Sequence, residues 1–235
     1  MYKKTSEYKN FIKKYFPYSG VINNPNAELL YFRICENNII TEIYEKYITS
    51  ENQEQNIACH LEFLQRYRIQ FNNLLLYIPI SEPNGINFCM RATIENLLKF
   101  LYSIYTDDDL KSITVCKFRD IKERLNKLET ELFINKDKIN NLVSYYGKFS
   151  NSIHDKNCNN KTQLEYMESI IQSNQLDLLG LNNNLLNILN VYETLISNIF
   201  RISEKTLSVS DMIRLRNTLT TKRFEKVKKH LYQEK

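Results

Sequence analysis

The segment YYGKFSNSIHDK, residues 145–156, gathers polar side chains at the end of an amphipathic stretch. Ser150 and His154 are four positions apart and would share one face of a helix, and Lys148 precedes His154 by six positions. Histidine is the side chain best suited to move protons at neutral pH. The segment is therefore a candidate acid–base site. A histidine at a helix end can instead cap the helix or complement its dipole, and that interpretation stays open.

A second polar pair, Arg91 and Glu95, stands in the otherwise apolar run FCMRATIENLLKFLYSIY. The two residues are one helical turn apart and share a helix face. Because the flanking residues are apolar, we expect the pair to be partly buried, and buried charges need partners. The pair is either a structural ion pair that fixes helix register or part of a site that meets a third polar group.

Together these two motifs resemble the HEPN superfamily, small α-helical domains found in toxins, abortive-infection systems and CRISPR-associated nucleases. The resemblance rests on the R-x-x-x-E step of Arg91 and Glu95. It rests also on the later Y-x-x-x-S-x-x-x-H pattern of Tyr146, Ser150 and His154. It covers roughly residues 55–200. Many active members place an arginine four to six residues before the histidine, whereas Lys148 holds the matching position here.

The resemblance implies a metal-independent endoribonuclease that needs no cofactor and works as a homodimer. His154 of one protomer would take the proton from the ribose 2′-hydroxyl, and His154 of the other would help the 5′-oxygen leave. Lys148 and Arg91 would stabilise the charge that builds on the phosphate. Glu95 would orient Arg91 or the histidine, and Ser150 would hydrogen-bond the site or pack at the dimer seam. The implied biological role is that of a phage-defence or toxin–antitoxin protein.

Basic residues concentrate at the C-terminal end of the chain. Residues 214–235 hold eight Lys or Arg against two acids, a net of +6, so the rest of the chain carries −1 of the total +5. Such a cluster suits a phosphate backbone or an acidic partner. The alternative is a solvated terminal helix. The predicted nucleic-acid-binding residues are Arg214, Arg216, Lys222, Arg223, Lys226, Lys228 and Lys229.

The composition predicts an all-α protein. Only eight of 235 residues are Gly or Pro, and 43% are hydrophobic, which favours long helices around a real core. We expect a bundle of about eight or nine helices with a HEPN-like core. Its predicted parts are an N-terminal helical extension (1–54), a HEPN-like bundle (55–202) and a basic C-terminal helix (203–235). Helices are predicted over about 27–49, 52–77, 87–107, 117–132, 137–153, 162–171 and 176–202, and after Ser210 or Asp211, with a loop over 79–85.

The sequence lacks the motifs that are typical of metal sites, secretion and membrane insertion. The five widely spaced cysteines indicate free thiols in a reducing cytosol, and no spacing typical of a metal site occurs. No signal peptide and no run of about 18 apolar residues is present, so we expect a cytoplasmic protein with no membrane association.

The acidic triplet 107–109 is interpreted as solvated acids. Tyrosines at 102, 105, 145 and 146 could stack bases, although aromatics at helical spacing are usually core.

Three hypotheses follow. The first is the HEPN-like ribonuclease. The second is a catalytically inactive HEPN-like module that binds nucleic acid or a partner protein, such as one encoded in the same operon. The third is an unrelated helical regulator with a basic tail. The missing arginine favours the second over the first. The first two predict that Arg91, Glu95, Ser150 and His154 converge in one polar cleft.

Overall fold

Helices form almost all of the described chain. The computed structural model describes residues 2–51, 55–127, 136–153, 162, 164–165, 167–168 and 176–233, with only the backbone for 2–5, 55–60 and 152–153. Ten helices and no strand occur within these residues, which confirms the all-α prediction. They are α1 (Tyr2–Tyr15), α2 (Pro25–Glu51), α3 (Gln55–Ile80), α4 (Pro83–Ile104), α5 (Leu110–Val115), α6 (Phe118–Lys127), α7 (Lys136–Ile153), α8 (Leu178–Ile199), α9 (Val209–Thr218) and α10 (Thr221–His230).

Three fully buried tyrosines mark where α2, α3 and α8 meet. The rings of Tyr67 and Tyr192 stack with centroids 4.8 Å apart, and Tyr44 lies 6.2 Å from Tyr192. Buried tyrosines need partners for their hydroxyls. Tyr67 donates to Oδ1 of Asn37 (2.9 Å), and Tyr192 donates to Oγ1 of Thr41 (3.0 Å). Polar residues of α2 therefore fix the positions of aromatic rings from α3 and α8.

Helix α4 packs mainly against α3 and α7. Its sequence is apolar on nearly every side, and twelve of its residues are buried, as the sequence predicts for a central helix. Two charged positions on it, Arg91 and Glu95, are only half-buried. They therefore lie at the margin of the core.

The stretch 79–85 is not the loop that its prolines and glycine predict. Helix α3 continues through Pro79 to Ile80, and α4 begins at Pro83, so only Ser81 and Glu82 connect the two helices. Ser81 has a φ of 57°, and the Glu82 carboxylate accepts hydrogen bonds from backbone N–H groups at the start of α4. Proline is well suited to a first helical position because the missing N–H has no helical acceptor there.

The basic C-terminal region forms two helices, so the prediction of a single helix capped by Ser210 or Asp211 is wrong. Ser208 caps α9, and Thr220 caps α10 by accepting from the backbone N–H of Arg223 (3.3 Å). A hydroxyl cap in extended conformation starts a new helix there. Leucines and valine of both helices enter the core cluster: Leu215, Leu219, Val227 and Leu231.

Helices from every predicted part contribute to one core cluster, which runs from Tyr8 to Leu231. The division at 54 and 202 stays a prediction. In the described part of the chain no helix has both the length and the apolar character that crossing a membrane requires.

The acidic triplet takes part in the fold. Asp109 caps α5 by accepting from the N–H of Ser112 (2.6 Å), and Asp108 forms an ion pair with Arg124 (2.7 Å). Both carboxylates remain accessible to solvent, so these two acids are solvated, as interpreted, and also stabilise the fold.

Replacement by alanine should change the free energy of unfolding in opposite directions at two glycines. A Cβ at Gly85 would overlap the Tyr77 ring, whereas a Cβ at Gly147 meets nothing within 4 Å. We expect Gly85→Ala to lower the free energy of unfolding by about 1–3 kcal/mol through overpacking. Gly147→Ala should raise it by about 0.5–1 kcal/mol because alanine favours a helix interior. Urea unfolding of both variants measures the difference, and equal effects would contradict the packing at Tyr77.

Candidate functional site

Arg91 lies against the aromatic ring of Tyr146. Its guanidinium carbon is 5.6 Å from the ring centroid, which joins α4 to α7 by a cation–π contact. Glu95 is close enough to Tyr146 to raise the pKa of its hydroxyl, although burial of Tyr146 is the larger cause. Arg91, Glu95 and Tyr146 define what we call the α4–α7 face.

The two charges of the predicted pair have different neighbours. Glu95 accepts from Nζ of Lys99 (2.9 Å), and Lys99 also donates to the backbone carbonyl of Thr114 (2.9 Å). Among the described residues, no carboxylate lies within ion-pairing distance of the Arg91 guanidinium. The ion pair of Glu95 is therefore with Lys99 of the same helix, and the predicted Arg91–Glu95 ion pair is wrong.

Tyr146 is held on one side by Phe118 of α6. The two rings stack with centroids 3.4 Å apart and an interplanar angle of 3°. Tyr145 hydrogen-bonds instead to α8, accepting from Asn187 (2.9 Å). Both tyrosines therefore support helix packing, the role that aromatics at helical spacing usually have.

The remaining residues of the α7 motif divide between two sides of the helix. Ser150 is half-buried and stands one turn after Tyr146, on the same face of α7. Lys148 is exposed and turned toward α8, where its Nζ donates to Oδ1 of Asn184 (3.0 Å). Arg91 and Glu95 thus lie near Tyr146, and Ser150 follows Tyr146 on the same face of α7, whereas Lys148 hydrogen-bonds on another side of the helix. His154 lies outside the described residues, directly after the last residue of α7.

The basic residues of the C-terminal region have mixed environments. Arg214 pairs with Glu42 of α2 (2.5 Å), and Lys228 pairs with Glu204 (3.3 Å). Arg223 is buried. The others face solvent to different degrees: Arg216, Lys222 and Lys229 are exposed, and Lys226 is half-buried. Three of the seven predicted nucleic-acid-binding side chains therefore have carboxylate partners within the fold.

A buried polar cluster joins α2, α8 and α10. Glu193 of α8 is 0% exposed and accepts from both terminal nitrogens of Arg223, one of them at 3.0 Å. Nδ1 of His230 lies 2.9 Å from the same carboxylate, and Arg223 also donates to Glu36 (3.4 Å). This cluster was missed in the sequence, although Glu193 is a single charge in the apolar run LNVYETLI, the same signal that identified Arg91 and Glu95.

Burial disfavours ionisation of both carboxylates of the cluster, but their pKa values shift in opposite directions. Burial opposes ionisation of Glu193, but hydrogen bonds from His230 and the charge of Arg223 outweigh it and lower its pKa. Burial raises the pKa of Glu36 to about 7, because the opposing attraction of Arg223 is weaker and Glu193 repels a second negative charge. Glu193 is therefore the ionised partner of Arg223 at neutral pH, whereas Glu36 resists ionisation.

Comparison of the chain with protein-family models, with curated proteins and with solved structures found no match.

Replacement of each carboxylate by an amide should show that Glu193 contributes more to stability than Glu36. We expect Glu193→Gln to lower the free energy of unfolding by about 3–5 kcal/mol, because it leaves the Arg223 charge buried without its main partner. Glu36→Gln should cost less than about 1 kcal/mol, since it removes a charge that burial already disfavours. Chemical denaturation measures both, and a larger loss for Glu36→Gln would contradict the assignment.

Glu36 should also make stability depend on pH. Its pKa is about 7 in the folded protein against an ordinary value of 4.5, so its stabilising contribution is present at low pH and lost as pH rises through 7. Between pH 8 and pH 6 the folded state takes up a proton that the unfolded state does not. We expect wild type to gain roughly 1 kcal/mol over this interval relative to Glu36→Gln. Parallel pH profiles for the two proteins would contradict the raised pKa.

Proposed function

We propose that this protein is a HEPN-like, metal-independent endoribonuclease of a phage-defence or toxin–antitoxin system, active as a homodimer. The observation that carries the proposal is Arg91: its guanidinium is held by Tyr146, and no carboxylate of the described residues neutralises it. An arginine fixed in this way suits a phosphate, because its planar guanidinium can donate two parallel hydrogen bonds to phosphate oxygens.

The neighbours of Arg91 support the same chemistry. Lys99 balances the charge of Glu95, which reduces the repulsion that this carboxylate would exert on an RNA phosphate. Ser150 continues the same stripe of α7 toward position 154. In the proposed reaction His154 of one protomer takes the proton of the 2′-hydroxyl, whose oxygen attacks phosphorus. His154 of the partner protonates the departing 5′-oxygen. Arg91 stabilises the negative charge of the transition state.

A second candidate is a catalytically inactive HEPN-like module that binds a partner protein or nucleic acid. The observation that favours it is Lys148, which stands where active members carry an arginine and donates to Asn184 of α8. A lysine held by a neighbouring helix on the side away from Tyr146 contributes less to a phosphate site than an arginine on the α4–α7 face. Binding of RNA without cleavage is the result expected from this candidate.

Incubation of the purified full-length protein with total RNA in excess EDTA tests the proposal. We expect wild type to cleave RNA despite the chelator, and His154→Ala to reduce the rate by about 10²–10⁴-fold through loss of proton transfer. Arg91→Gln should reduce it by about 10²–10³-fold through loss of transition-state charge stabilisation. Arg119→Gln, an exposed arginine on α6, serves as the matched control and should leave the rate unchanged.

Two results would overturn the proposal. Cleavage that disappears in EDTA would indicate a metal-dependent nuclease, and equal inactivity of folded wild type and His154→Ala would exclude cleavage by the isolated protein. Thermal unfolding of each variant establishes that it is folded.

The proposed role as a toxin has its own readout. Induced expression of wild type should arrest bacterial growth, whereas His154→Ala, at the same protein level, should not. Equal growth of both strains would argue against toxicity of the protein alone.

A further inference from the structure

A recess of about 290 Å³ opens between α2, α8 and α10, and none of the residues that line it belongs to the α4–α7 face. Leu186 borders it from one side of α8, whereas Asn184 and Asn187 contact α7 from another. We call it the α2–α10 recess. It is lined by Leu29, Phe32, Arg33, Glu36, Leu186, Thr220, Lys222, Arg223 and Lys226.

Positive charge predominates in the lining. Four cations face the recess with a single carboxylate, Glu36, and the charge of Arg223 is already balanced by Glu193 behind it. Among the described residues no carboxylate lies within ion-pairing distance of Lys222 or Lys226. The pKa of Lys226 is lowered, first by burial and then by repulsion from its cationic neighbours. Cations crowded into a half-buried space are stabilised by an anion placed among them.

Two buried polar atoms of the lining residues have no hydrogen-bond partner among the described residues. They are Oε1 of Glu36, whose residue is only 3% exposed, and Nε of Arg33. Both atoms are enclosed by the protein, so they do not contact the open space of the recess. Their missing hydrogen bonds cost free energy and leave the polar groups behind the recess incompletely satisfied within the described residues.

The third property of the recess is an apolar wall formed by Leu29, Phe32 and Leu186. Its volume is close to the lower end of the range of about 300–1,000 Å³ typical of small-molecule sites. The cations come from two helices, α2 and α10, and border the same solvent-open recess. This arrangement fits one compact anionic group better than an extended RNA backbone, which contacts a row of cations.

We propose that the α2–α10 recess binds a small organic phosphate, such as a nucleoside monophosphate. Arg33, Lys222 and Lys226 hold the phosphate, and the organic body lies against the apolar wall. Three of the lining cations belong to the C-terminal region predicted to hold RNA. The proposal does not depend on RNA cleavage, because binding to the recess is measured directly.

Binding of adenosine 5′-monophosphate to the full-length protein tests the proposal, with calorimetry for affinity and thermal unfolding for stability. We expect Tm to rise by about 3–6 °C when the ligand is about tenfold above its Kd. Inorganic phosphate should bind more weakly, and adenosine should have no effect. Lys226→Gln and Lys222→Gln should each weaken binding about tenfold or more through loss of a charged hydrogen bond. Lys229→Gln, at an exposed position of the same helix outside the recess, should bind like wild type.

Three results would overturn the proposal. The first is that neither adenosine 5′-monophosphate nor inorganic phosphate binds at millimolar concentration. The second is equal weakening by Lys226→Gln and Lys229→Gln, which would indicate general attraction to a basic surface. The third is that adenosine 5′-monophosphate does not bind, whereas an oligoribonucleotide without a terminal phosphate binds and loses affinity in Lys226→Gln. That result would assign the recess to the RNA backbone.

Discussion

Glu193 is fully buried in α8, and an ionised carboxylate there is stable only if cations of the protein surround it. Arg223 of α10 supplies a positive charge and Nδ1 of His230 lies 2.9 Å from the same carboxylate, so α10 must pack on α8 with part of its basic face inward. Arg223 also donates to Glu36, which lies 187 positions earlier in α2. One buried carboxylate thus joins helices from both ends of the chain. It also explains why the basic C-terminal region, whose sequence is also typical of a solvated helix, contributes the buried Arg223 to the core.

Helix α8 also contacts α7, through residues that do not border the recess. Asn184 and Asn187 hydrogen-bond to α7 through Lys148 and Tyr145. Helix α7 in turn presents the neighbouring Tyr146 to Arg91. The candidate RNA site on the α4–α7 face and the cationic α2–α10 recess are therefore connected through one helix. We infer that an anion bound in the recess would stabilise the packing of α10 on α8 without contacting the RNA site.

The sequence contains enough information to predict the long helices, but not which charged side chains pair with one another. Apolar periodicity predicted α2, α7 and α8 closely, because tertiary packing there uses the same stripes. The Arg91–Glu95 step was found because charges stand out in an apolar run. The partner of Glu95, however, is Lys99, which equally fits a solvated lysine. The cluster at Glu193 was not predicted because Arg223 is one of many cations in a basic stretch, and only the fold selects it.

Chemical analysis of the ends of RNA fragments produced in EDTA tests the central claim most directly. Attack by the 2′-hydroxyl oxygen with departure of the 5′-oxygen must leave a 2′,3′-cyclic phosphate on one fragment and a 5′-hydroxyl on the other. The account predicts these ends for wild type and their loss in His154→Ala. Fragments with 3′-hydroxyl and 5′-phosphate ends would contradict the mechanism, because they require attack by water on phosphorus with the 3′-oxygen leaving.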